Sequence, residues 1–149
     1  MFLIKQYNKL VKLFYIKKLV AALQHLIPLL LRCWIAVIFF KSGLTKISNW
    51  DQTLFLFEYE YQVPLLSSNI AALLGTAAEI ICPILIILGV FTRLTILPLF
   101  IMTAIIELFI ISHSDHLYWL VMMLSVISFG AGKISLDSQI AKSKKLTKI

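Results

Sequence analysis

Polar and apolar positions alternate along this chain in long blocks. Four stretches dominated by Leu, Ile, Val, Ala and Phe follow one another at residues 25–43, 69–91, 94–112 and 116–132, each 17 to 23 residues long. That length matches the roughly 20 helical residues needed to cross a hydrocarbon core of about 30 Å. The blocks are too long for barrel strands, and only a helix satisfies its own backbone hydrogen bonds in lipid, so four transmembrane helices are predicted. Pro28, Pro83 and Pro98 predict local kinks within them.

The first 22 residues read differently. Leu3, Ile4, Tyr7, Leu10, Val11 and Phe14 share one helical face, with Lys5, Lys9 and Lys12 opposite. This is the pattern of an amphipathic helix lying in the headgroup layer. A cleavable signal peptide is the rival reading; Arg32 inside the apolar stretch and the lack of an A-x-A site before Gly43 speak against it. The expected organisation is an interfacial segment at 1–22, a membrane domain at 23–137 and a basic tail at 138–149.

Composition excludes a water-soluble fold. Of the 149 residues, 60% are hydrophobic and only 14% charged, against about 25% charged in soluble proteins. The net charge of +7 comes from Lys residues at the chain ends and beside apolar blocks, not from a patch interleaved with aromatics. Anionic lipid headgroups are therefore the expected counterpart, and nucleic acid is not. Lys5, Lys9, Lys12, Lys17 and Lys18 precede the first block, Arg93 lies between the second and third, and Lys133, Lys142, Lys144, Lys145 and Lys148 follow the fourth. The positive-inside rule puts these three regions on the cytoplasmic side, so both termini are expected there. Cys33 and Cys82 lie inside apolar blocks and are expected to be small buried residues.

A charge at mid-membrane costs about 2.5 to 3.5 kcal/mol on insertion scales, which makes each intramembrane ionisable group a functional candidate. Arg32, Ala36, Phe39, Gly43 and Lys46 form one stripe of the first helix. In the second, Ala71, Ala72, Gly75, Ala78, Glu79 and Cys82 share a small-residue face suited to close helix packing. Depth and facing predict an Arg32–Glu79 pair; the alternative is that Arg32 snorkels to headgroups while Glu79 is protonated and bonded locally. Near the other boundary, Lys46, Glu107, His113 and His116 predict a polar pocket opening outward. As a metal site, His113, Asp115 and His116 in a flexible turn lack rigid spacing, so no metal is expected. Trp50, Tyr59, Tyr61, Tyr118 and Trp119 are expected as interfacial anchors. No phosphate loop, nucleophile elbow or zinc-protease motif occurs, which leaves no self-contained catalytic motif.

Four features together resemble the DoxX-like family of small four-helix bacterial membrane proteins. They are Arg32 followed by F-K-S-G-L-T-K at 40–46, Glu79 followed by L-G-V-F-T-R at 88–93, the stretch 116–119 opening the fourth block, and F-G-A-G-K-I-S-L-D at 129–137. The resemblance covers most of residues 26–137; Glu107 and the N-terminal extension fall outside its pattern. It implies an all-α, multi-pass four-helix bundle in the bacterial inner membrane. It also implies an accessory subunit of a quinone-linked redox system, with a redox protein as partner and quinone as ligand at Arg32, Lys46 and Glu79. The other role it implies is a non-enzymatic membrane assembly or cargo factor.

Overall fold

A computed structural model describes residues 2–110 and 113–146, with side chains for 13–110 and 113–143. The described residues are helical with no strand. The elements are α1 (Phe2–Ser48), α2 (Trp50–Phe55) continued by a π-helical segment (Leu56–Tyr61), α3 (Ser68–Leu88), α4 (Thr92–Thr95), α5 (Leu97–Phe109), α6 (Ser114–Phe129) and α7 (Leu136–Leu146). Three stretches are long and apolar enough to cross a membrane: Leu13–Ser48, Ser68–Leu88 and Thr92–Phe109. The fourth apolar helix, α6, has 16 residues, a length of about 24 Å.

The expected boundary at residue 22 is not marked by any break in the backbone. Residues 19–27, L-V-A-A-L-Q-H-L-I, are mostly strong helix formers without a glycine or proline, so the helix runs through. At 47 residues α1 is about 70 Å long, more than twice the hydrocarbon thickness. The stripe from Leu3 to Val11 and its opposing lysines lie outside the described side chains, as do Lys144, Lys145 and Lys148. The basic tail is also more ordered than a tail: Leu136–Leu146 is helical.

A common core joins α1, α3, α5 and α6 through buried Ile35, Phe39, Ile86, Leu99, Met123 and Val126. The helices are packed by the faces their sequences mark. On α1, Arg32, Ala36, Phe39 and Gly43 are buried while Lys41 is exposed; on α3, Ala71, Ala72, Glu79 and Cys82 are buried while Leu74, Ile81 and Leu88 face outward. Small residues bring the two antiparallel helices together. A Cβ added at Gly43 would sit 2.8 Å from Ile80 Cδ1 and 3.1 Å from Glu79 Cβ, so only glycine permits this approach. A smaller apolar cluster, Phe57 with Ala71 and Ala72, docks the α2–π segment on the first turns of α3.

The opposite end of α3 is closed by a polar latch. Gly89, at φ +71°, ends the helix in a left-handed turn, with Val90 N–H bonded to Leu85 O at 3.0 Å and Gly89 N–H to Ile86 O at 3.1 Å. The fully buried Arg32 guanidinium donates to the carbonyls of Ile86 (3.3 Å), Ile87 (3.5 Å) and Ile134. Asp137 binds the same turn from the C-terminal segment. Its carboxylate accepts from Phe91 N–H (2.7 Å), Thr92 N–H (2.9 Å) and Thr92 Oγ1 (2.9 Å), and its own N–H donates to Gly89 O at 2.9 Å.

Burial pushes the Asp137 carboxyl up, but the Thr92 and Phe91 bonds and the Arg32 charge outweigh it and hold it below the ordinary aspartate value. A depressed folded pKa means stability that is fully present above the unfolded value of about 3.9 and is lost as pH falls through the folded one. Asp137→Asn is therefore expected to be less stable than wild type at neutral pH, with the gap narrowing below about pH 4. Thermal melts of both proteins from pH 7 down to pH 3 in detergent check this. A gap that widens on acidification would contradict it.

Candidate functional site

Glu79 does not meet Arg32. The cation that reaches it is Lys46, whose Nζ lies 2.8 Å and 2.7 Å from the two carboxylate oxygens and 2.9 Å from Ser42 Oγ. This corrects the expected Arg32–Glu79 pair, and the reason is physical. The last turn of α3 presents carbonyls without helical partners, which attract a guanidinium, and Ile86 lies about 10 Å beyond Glu79 along the axis. Lys46 stands one turn past Gly43, which packs against Glu79 and Ile80, and from there its Nζ bonds the Glu79 carboxylate. The two candidate charges of the first helix thus serve opposite ends of the protein. Arg32 holds the latch and Lys46 belongs to the cavity.

That cavity, of about 360 Å³, is bounded by α1, α3, α5, α6 and the π-helical segment. α1, α3 and the π-helical segment contribute Ser42, Lys46, Glu79 and Tyr61, the start of α6 contributes His113 and His116, and Phe39, Met102 and Trp119 are apolar walls. The Lys46 and Glu79 side chains are 15% and 5% exposed, so the ion pair is largely shielded. His116 Nδ1 lies 3.1 Å from Glu107 Oε2, an oxygen that also accepts the His113 N–H at 2.8 Å. A carboxylate at Nδ1 fixes the proton there and leaves Nε2 as the ring nitrogen that can serve the cavity. Trp119 stacks obliquely with His116, ring centres 5.2 Å apart, and edge-on with Phe39 at 5.9 Å. His113 stands at the rim, 60% exposed, where its Nδ1 accepts the Asp115 N–H and caps α6.

Of the residues singled out from the sequence, Lys46, Glu79, His113 and His116 line one cavity, Glu107 supports it through His116, and Gly43 sets the helix approach beneath it. Arg32 alone is elsewhere. Sequence reasoning missed Ser42, Thr103 and Met102, and it took Tyr61 and Trp119 for interfacial anchors. A helical signal existed for Ser42, which precedes Lys46 by four residues on the same face. None existed for Tyr61, whose inward turn depends on the π-helical winding closed by Gln62 N–H to Phe57 O at 3.2 Å. Burial pushes the Tyr61 phenol up, and the charges of Glu79 and Glu60 add to this, so it remains a hydrogen-bond donor at neutral pH.

No group of three or more His, Cys, Asp or Glu side chains among the described residues is arranged to hold a metal. The DoxX family model matches residues 27–112, more than half of the chain and all of α3 and α5. The chain belongs to the DoxX family. A Haemophilus influenzae protein described only as uncharacterized is 33% identical over 128 residues, spanning 76% of this DoxX chain and 83% of that protein. No solved structure matches. The matched segment of this DoxX member contains Arg32, Gly43, Lys46, Glu79 and Glu107, whereas His113, His116 and Asp137 lie beyond it.

Proposed function

We propose that this DoxX-family protein is a multi-pass inner-membrane subunit, with four spans and both termini in the cytoplasm, that serves a quinone-linked redox system as an accessory component. Its cavity holds the quinone head. The observation that carries this reading is one largely apolar, aromatic-walled space with hydrogen-bonding groups contributed by different helices. The Tyr61 hydroxyl is a donor to one ring oxygen, and His116 Nε2, an acceptor in the Nδ1–H tautomer, takes the hydroxyl proton of the reduced ring at the other. The volume lies within the range of about 300 to 1,000 Å³ typical of small-molecule pockets. The chemistry belongs to the quinone and to a partner enzyme; the chain contributes binding, orientation and electrostatics. The lysine-rich ends, including Lys17, Lys18 and Lys142, favour the anionic cytoplasmic leaflet.

Trp119 lines the cavity and is the natural reporter. A short-chain quinone added to purified protein should quench tryptophan fluorescence saturably, and Trp119→Phe should remove most of that quenching while Trp34→Phe does not. Lys46→Met and His116→Phe should each weaken binding several-fold. Linear, unsaturable quenching that ignores all four substitutions would refute the quinone reading.

One observation favours a non-enzymatic assembly or cargo role as the second reading. Leu13, Phe14, Tyr15, Ile16, Leu19, Val20 and Leu23 of α1 are all exposed, so residues 13–23 are left uncovered by the other described residues. A membrane protein that co-purifies with the full chain and is lost on deleting residues 2–18, with no quinone bound, would favour that role.

A further inference from the structure

The cavity has a second chamber. Between the end of α1 and the α2–π segment lies a crevice of about 300 Å³ whose walls are Thr45, Asn49, Gln52, Thr53 and Leu56. It shares Ser42, Lys46 and Tyr61 with the cavity. The crevice is lined by the exposed Thr45, Asn49 and Gln52, whereas Phe39, Met102 and Trp119 wall the cavity. Asn49 and Gln52 lie just past the end of the first candidate span at Ser48, on the connection to α3, where the chain meets water. Backbone carbonyls fix its polar side chains: Thr45 Oγ1 donates to Lys41 O at 3.0 Å and Asn49 Nδ2 to Thr45 O at 3.4 Å. Thr53 Oγ1 bonds the carbonyls of Lys46 and Asn49, both at 3.0 Å, and ties α2 to the end of α1, while Phe57 anchors the following turn on α3.

We infer that this crevice is the aqueous entrance to the site, and that protons and small hydrophilic molecules reach Glu79 through it. Lys46 and Tyr61 form the partition. The ammonium of Lys46 belongs to both chambers, so an ion moving from the crevice meets it before it meets the carboxylate behind. The Tyr61 ring, edge-on to Phe57 at 5.0 Å, closes the remaining gap as a fixed wall. The rim at His113 is the rival entrance. The inference rests on the cavity but not on the quinone, and it stands or falls by accessibility rather than by ligand binding.

Single cysteines test it in the full-length chain, with native Cys33→Ser and Cys82→Ala replaced first. Gln52→Cys reports on the crevice; Ile38→Cys and Met102→Cys report independently on the cavity. Each is treated with a charged, membrane-impermeant thiosulfonate in right-side-out and in inverted membrane vesicles. Crevice and cavity cysteines should react from the same face, the cavity ones more slowly. Tyr61→Ala should speed the cavity reaction several-fold and leave the Gln52→Cys rate nearly unchanged, while Tyr61→Phe, which keeps the wall, should change neither rate. Three results would overturn the inference. They are cavity cysteines that react only with a membrane-permeant maleimide, cavity and crevice cysteines that react from opposite faces, and acceleration by His113→Ala in place of Tyr61→Ala.

Discussion

Lys46→Met is expected to destabilise the protein by about 3 to 5 kcal/mol, because it leaves the buried Glu79 carboxylate without its cation. The carboxylate then loses both of its short bonds to Nζ and keeps an exposure of only 5%. The lower end of the range is the better expectation, since the Lys46 side chain retains 15% exposure and some of its own hydration. Glu79→Leu leaves the ammonium in an apolar wall and should cost a similar amount. Joining the two substitutions should be far milder than their sum, because a matched apolar pair leaves no charge to solvate. A double-mutant cycle on thermal or denaturant stability in detergent measures this coupling. Additive single effects would mean that Lys46 and Glu79 act separately. The same cycle run on Arg32 and Glu79 should be close to additive, because the guanidinium bonds the carbonyls of Ile86 and Ile87 instead.

Gly89→Ala is expected to cost roughly 3 kcal/mol through two effects at once. A left-handed backbone at φ +71° burdens any residue with a Cβ by about 1 to 2 kcal/mol. The new Cβ would also fall 2.5 Å from Ser135 Cβ and onto Arg32 Nη1, driving the guanidinium away from its carbonyls. The displaced guanidinium loses its bonds to the carbonyls of Ile86, Ile87 and Ile134, at about 1.5 to 3 kcal/mol for a bond to a charged group in a buried setting, although Ile86 O keeps Gly89 N–H. Arg32→Leu should destabilise by a comparable amount, partly offset because its Nε is itself buried without a partner and that cost disappears. Neither substitution touches the cavity. Quinone quenching of Trp119 in the folded fraction should therefore survive both, whereas Lys46→Met should weaken it. Wild-type melting of Gly89→Ala would show that the turn and the latch are not as described.

The latch joins motifs that lie far apart in the sequence. Arg32, Gly89 and Asp137 lie on three different segments, yet each holds part of the same turn between α3 and α4. Their function is to secure the end of a helix whose last carbonyls and whose successor's first N–H groups would otherwise lack partners.

Much of the architecture was legible in the chain by itself. Apolar block length marked the long helices, and the small-residue face of α3 and the Arg32 stripe of α1 marked the packed surfaces, because burial in lipid follows a helical period that sequence spacing preserves. The choice of polar partners was not legible. Depth arithmetic gave Arg32 enough reach for Glu79, but spacing carries no information on which competing acceptor lies nearer or binds a guanidinium better. Only the packed structure decided that, by bringing α1 and α3 into contact at Gly43 and exposing the end of α3 to Arg32. Tertiary structure likewise decided that Tyr61 and Trp119 turn inward, since a side chain's burial depends on the neighbour that covers it and not on the residue's own preference for an interface.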